Sequence, residues 1–167
     1  GRILAVYMEF CGTGSDFSAT RIVAQESADR GLTWSQHRVI TETLPGDVNV
    51  FSPNLTRAQD GAILLVFMRK HNKDEFCASH YLWRSTDEGA SFSQVTAFAE
   101  RLPLQVCNAV LKRLSNGRLL LPVFAGEKYG TGLYQIRGSA AMLYSDDDGR
   151  SWSESPARVQ LPMRGAM

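Results

Sequence analysis

The sequence is short of the features that mark disulfide-built, membrane-spanning or nucleic-acid-binding proteins. It has three cysteines, Cys11, Cys77 and Cys107, too few and odd in number for a disulfide framework. Charge of neither sign dominates: 18 Lys+Arg against 17 Asp+Glu leave a net charge of +1, which argues against the clustered basic surface of a nucleic-acid binder. No apolar run approaches the ~20 residues of a membrane-spanning helix; the longest are of the size of 62–68. No charged-then-apolar leader is visible, and the chain opens on Gly1-Arg2-Ile3-Leu4 without a methionine. No Gly-x-Ser-x-Gly elbow occurs, which removes that type of hydrolase triad. With 44% hydrophobic residues and balanced charge, disorder is excluded as well. A length of 167 residues taken alone fits one domain.

What is present is a repeat. Ser27-Ala28-Asp29-Arg30-Gly31-Leu32-Thr33-Trp34, Ser85-Thr86-Asp87-Glu88-Gly89-Ala90-Ser91-Phe92 and Ser145-Asp146-Asp147-Asp148-Gly149-Arg150-Ser151-Trp152 all read S-x-D-x-G-x-[ST]-[WF], with aspartates 58 and 60 residues apart. Gly1-Arg2-Ile3-Leu4, Gly61-Ala62-Ile63-Leu64 and Gly117-Arg118-Leu119-Leu120 precede the box aspartates by 26 to 30 residues, and Leu44-Pro45, Leu102-Pro103 and Leu161-Pro162 follow the boxes. Such periodicity is the mark of repeat architecture.

Each repeat reads as four strands. Asp60-Gly61 and Asn116-Gly117 predict two-residue type I′ hairpins, which need positive φ at both central positions. The apolar runs after them, Ile63-Leu64-Leu65-Val66-Phe67-Met68 and Leu119-Leu120-Leu121-Pro122-Val123-Phe124, lack alternation and so predict strands buried on both faces. With a strand ending at the box serine, another after the Trp or Phe, and no convincing helix, the expectation is an all-β propeller of four-stranded antiparallel blades. The box is expected to be a turn device. Asp29, Asp87 and Asp147 would accept backbone N–H groups, Gly31, Gly89 and Gly149 take positive φ, and Trp34, Phe92 and Trp152 pack between sheets. Calcium is set aside at Asp146-Asp147-Asp148-Gly149, which lacks alternate acidic ligands and a distant Glu. Zinc is set aside at Cys77-Ala78-Ser79-His80, which lacks a second ligand pair. His37 and His71 stand without a partner motif. No metal or cofactor is expected.

The box resembles the Asp-box, or bacterial neuraminidase repeat, and with the Gly-x-Leu-Leu hairpins the whole chain resembles the six-bladed sialidase propellers. The resemblance implies a division into blade one lacking its innermost strand (1–44), blade two (45–103) and blade three (104–167). Gly1 aligns with Gly61 and Gly117 in mid-hairpin, so the chain is expected to be a fragment, about three blades of six. It also implies an exo-α-sialidase type of retaining hydrolysis of terminal sialic acids from glycans. Three arginines would clamp the sugar carboxylate, a Tyr activated by a Glu would be the nucleophile, and an Asp the acid/base. The arginine of the Phe-Arg-Ile-Pro motif, and the parts belonging to later blades, have no counterpart here. The fragment alone is therefore expected to be inactive.

Carried over residue by residue, the acid/base is Asp16, the only Asp in the loop 9–18. The competing reading is a cap on a glycine-rich turn. An Arg often found near the end of the preceding strand is replaced by Phe10 or Cys11. Arg69, ending the second strand of blade two, and Glu127, in the equivalent loop of blade three, are candidate substrate-binding residues, against the reading of solvated loop charges. Tyr129 and Tyr134 are candidates for stacking on a sugar. The competing function is a non-catalytic Asp-box propeller that binds glycans or proteins, and a third is a structural fragment. The expected partner is a glycan, with no nucleic acid, no membrane span, and self-association through exposed blade faces. The resemblance favours a secreted or envelope location without fixing one.

Overall fold

The structure, a computed structural model, describes residues 1–72, 77–128 and 136–160. These residues form three antiparallel sheets and no helix, so none is long and apolar enough to cross a membrane. The first sheet is β1 (Ile3–Phe10), β2 (Thr20–Ser27) and β3 (Arg38–Glu42), and the second is β4 (Asn49–Arg57), β5 (Ile63–Lys70), β6 (Ala78–Ser85) and β7 (Ser93–Leu102). In the third, β8 (Leu104–Val106) and β9 (Lys112–Arg113) both pair with β10 (Leu119–Lys128). On its other side β11 (Ile136–Ser145) carries both β12 (Ser153–Glu154) and β13 (Val159–Gln160). Each pair of short strands flanks the central hairpin as one interrupted strand. This is the blade architecture of a β-propeller.

The sequence repeat is a spatial repeat. Ile3 pairs with Ser27, Ile63 with Ser85 and Leu119 with Ser145, so each box serine faces the residue two places after the hairpin glycine. In every box the serine Oγ accepts the glycine N–H, at 2.7–2.8 Å. The aspartate Oδ1 accepts the N–H of Thr33, Ser91 or Ser151 at 2.9 Å, and Oδ2 takes the hydroxyl of the same residue at 2.6 Å. These bonds to the charged form, led by those from Thr33, hold the Asp29 carboxyl down to about 2. Burial pushes Asp147 the other way, but the Ser151 and Ser145 bonds prevail and bring it to about 2 as well.

Two turn expectations change. The hairpin before β5 is not a two-residue loop: Ala58 N–H pairs with Ala62 O at 2.8 Å, and Gly61 N–H reaches Ala58 O at 3.1 Å. Gln59, Asp60 and Gly61 form the loop, and only Gly61 takes positive φ, at 89°. Leu114, Arg118 and Gly117 repeat the pattern before β10. The arrangement is a type I turn closed by a left-handed glycine. Asp60 and Asn116 contribute instead through Oδ1, which accepts the N–H two residues on. The consecutive positive φ values of a type I′ pair occur in the boxes, at Glu88 (57°) with Gly89 (87°) and at Asp148 (58°) with Gly149 (86°).

The core lies between sheets. Every residue from Ile63 to Arg69 is buried, and the strand's alternation decides which neighbour each meets. Leu65 and Phe67 join Ile22 and Val50 between the first two sheets. Leu64, Val66 and Met68 join Leu119, Leu121 and Val123 between the second and third. Full burial of each large side chain contributes about 1.5–3 kcal/mol, so β5 joins both interfaces. β10 departs from the expectation of two buried faces: Leu119, Leu121 and Val123 are buried, while Leu120, Pro122 and Phe124 are half-buried, because no described sheet packs over their side. Trp152 stacks on Phe98 of the second sheet, ring centres 4.6 Å apart, and Phe92 packs on the first core cluster. Trp34 stays 42% exposed, with no preceding sheet among the described residues to receive it.

Candidate active site

The antiparallel register separates two ends of the sheets. Phe10 pairs with Thr20, Arg21 with Glu42, Asn49 with Lys70 and Lys70 with Ala78. Phe10, Asn49 and Lys70 therefore share one end, and the boxes lie at the other, eight residues or about 26 Å away along a strand. The boxes, closed on their own hydrogen bonds, stand apart from the residues at the first end.

The connection after β1 holds Asp16. It closes through Cys11 N–H to Ala19 O at 2.9 Å and Ser18 N–H to Ser15 O at 2.8 Å, with Thr13 and Ser18 hydroxyls 2.8 Å apart. Gly12 and Gly14, at φ 151° and 74°, supply the positive φ values this path needs. The side-chain cap belongs to Ser15, whose Oγ accepts the Phe17 N–H at 3.2 Å. Asp16 is exposed. Its backbone is tied down from the neighbouring sheet, where fully buried Asn49 donates Nδ2–H to Asp16 O at 2.7 Å. Asn49 Oδ1 is buried without a donor.

Lys70 reaches the same place from β5. Its Nζ lies 5.0 Å from the ring centre of Phe51 and 5.7 Å from that of Phe17. Phe51 in turn meets Phe10 edge-on at 6.2 Å. Burial pushes the Lys70 ammonium below its ordinary pKa, and the Asp16 carboxylate opposes this. Neither Lys70 nor Asn49 was signalled by the sequence, since each stands out only through residues far away along the chain, Phe17 and Phe51 for Lys70 and Asp16 for Asn49.

Arg69, next along the strand, points to the opposite face and is 5% exposed. Its guanidinium donates to Glu42 O at 3.0 Å and Thr41 Oγ1 at 2.8 Å, approaches Asp47 Oδ2 at 3.6 Å, and lies over the Phe67 and Tyr81 rings. Asp47 Oδ1 also contacts His71 Nδ1 at 2.7 Å, and His71 Nε2 contacts Ser79 Oγ at 2.8 Å. That Asp–His–Ser line has the order of a nucleophilic relay. Ser79, however, is 3% exposed, and its oxygen already accepts the Arg101 N–H at 3.0 Å. The network ties the start of β4 to the ends of β3, β5 and β7. Glu127 pairs with Arg137 through the backbone of β10 and β11; its side chain, Tyr129 and Tyr134 lie outside the described residues.

The profile of the BNR repeat-like domain matches residues 1–163. No curated protein matches the chain. Among solved structures, the chain is similar to a protein of unknown function from Dyadobacter fermentans, at 23% identity and a TM-score of 0.66, covering 93% of this chain and 50% of that one. It is similar to the α-L-arabinanase of Penicillium chrysogenum at 17% identity and a TM-score of 0.64, covering 93% and 44%. It is similar to the Trypanosoma rangeli sialidase at 16% identity and a TM-score of 0.63, covering 96% and 29%. The chain thus spans half or less of the length of these structures, and what it shares with them is the fold.

Proposed function

The chain belongs to the BNR repeat-like domain family, and from that premise we propose that it forms part of a glycoside hydrolase of the propeller type, with Asp16 as its acid/base. The observation that carries the reading is the placement of Asp16. It is an exposed carboxylate on a loop pinned by a buried asparagine, at the end of the sheets remote from the boxes and beside the exposed rings of Phe10 and Phe17. A group that protonates a leaving glycosidic oxygen and then takes a proton from water must be reachable by substrate and held in place by neighbours. Asp16 meets both needs, and the competing role of turn cap is filled by Ser15. The reading assigns no nucleophile to the three sheets.

At the finer level the proposed reaction is retaining release of terminal sialic acid. Likeness of the same order to an arabinanase keeps cleavage of arabinan as the second reading. The test is hydrolysis of a fluorogenic sialoside and a fluorogenic arabinofuranoside by the intact protein and by its Asp16→Asn variant. Loss of at least ~100-fold on one substrate, the size of a proton-transfer contribution, supports the assignment and chooses between substrates. Equal turnover by both proteins removes Asp16 from the mechanism. Glycan binding without turnover of either substrate makes the propeller a binding module.

A further inference from the structure

Two arginines at the same end of the sheets are already engaged. Arg69 is enclosed by Thr41, Glu42 and Asp47, and Arg21 Nε donates to Glu9 Oε2 at 2.5 Å. Lys70 differs from both. Its ammonium is half-buried, lies near the rings of Phe51 and Phe17, and makes no ion pair with any carboxylate among the described residues. An aromatic face stabilises a cation through its quadrupole without neutralising it. An ammonium that has lost part of its hydration, and on which the Asp16 carboxylate acts without forming an ion pair, gains more from an arriving anion than a fully hydrated surface lysine does. The loop bearing Asp16 stands beside it, so a group bound at Lys70 lies next to the proposed acid/base.

We infer that Lys70 is a specificity-determining residue whose ammonium receives a carboxylate carried by the sugar, between the rings of Phe17 and Phe51. This rests on the reading of this end of the sheets as a glycan site. A neutral sugar offers Lys70 only hydroxyl oxygens, which form weaker bonds than a charge-assisted pair. The site therefore favours acidic sugars over neutral ones of similar size.

The experiment measures binding by calorimetry on the intact protein, with N-acetylneuraminate and glucuronate as acidic probes and methyl arabinofuranoside and galactose as neutral ones. Wild type, Lys70→Met and Lys70→Arg are compared, with thermal melting showing that each is folded. The acidic probes are expected to bind more tightly than the neutral ones. Lys70→Met should weaken the acidic probes ~10-fold or more, the size of a charge-assisted hydrogen bond, and leave the neutral ones unchanged. Lys70→Arg should retain the preference, and added salt should weaken the acidic probes alone. Acidic probes that bind no better than neutral ones overturn the inference, as does a Lys70→Met protein with an unchanged acidic-to-neutral ratio. Because the readout is binding, the two readings fail separately. Lys70-dependent binding without cleavage overturns the hydrolase reading alone, and cleavage of arabinofuranoside indifferent to Lys70→Met overturns this one alone.

Discussion

Gly149→Ala measures how tightly a box turn is pressed against the preceding sheet. Gly149 has φ of 86°, and a Cβ placed there would lie 2.2 Å from Leu82 Cδ1 and 3.7 Å from Leu119 Cδ1. Two effects add. An L side chain in the left-handed region costs about 1–2 kcal/mol. The contact is well inside the ~3.5–4 Å separation of carbon atoms, and Leu82 is fully buried, so it has no empty space to turn into. Overpacking of this kind costs about 1–3 kcal/mol. Gly61 provides the control: its φ is 89°, but nothing lies within 4 Å of an added Cβ, so Gly61→Ala carries the conformational cost alone. Urea unfolding followed by tryptophan fluorescence, with Trp152 stacked across this joint on Phe98, should place Gly149→Ala about 2–5 kcal/mol below wild type and Gly61→Ala about 1–2 kcal/mol below. Leu82→Ala should reduce the Gly149→Ala penalty, so the double variant falls short of the sum. Equal losses for the two glycines, together with strict additivity in the double variant, would refute the inter-sheet contact as the reason for glycine.

Two further outcomes are expected. His80 is fully enclosed beside Phe98, and burial pushes it down to about 4. Its folded pKa lies below the unfolded value near 6.5, so its contribution is complete above that pH and is lost as pH falls towards 4. The loss is about 3 kcal/mol, and urea midpoints at several pH values should show a flatter profile for His80→Leu. Arg69→Met removes the cation beside Asp47 and the donor to Thr41 and Glu42; breaking a buried pair costs about 3–5 kcal/mol. A marked drop in the thermal midpoint with unchanged sugar affinity in the folded protein would assign Arg69 to the scaffold, whereas a selective loss of sugar affinity would assign it to the site.

The box turns, the hairpin glycines and the central strands are legible in the linear sequence because their causes are local. Ser27, Asp29 and Thr33 lie within six residues of one another and close their own hydrogen bonds. The period of the repeat then follows from one turn recurring at a fixed distance. Turn type was less legible, since Asp-Gly suits both a two-residue loop and the three-residue loop found at 59–61, and cross-strand register chooses between them. The surroundings of Asp16 come from long-range packing. Asn49, Phe51 and Lys70 reach it because β4 pairs with β5 and lies against the first sheet. The pleat of β5 puts Arg69 and Lys70 on opposite faces, and the same packing decides that the face of Arg69 is the enclosed one. A single chain records which residues can make a turn. Which side chains converge at the end of a sheet depends on register between strands tens of residues apart, set when the apolar faces of three sheets close on one another.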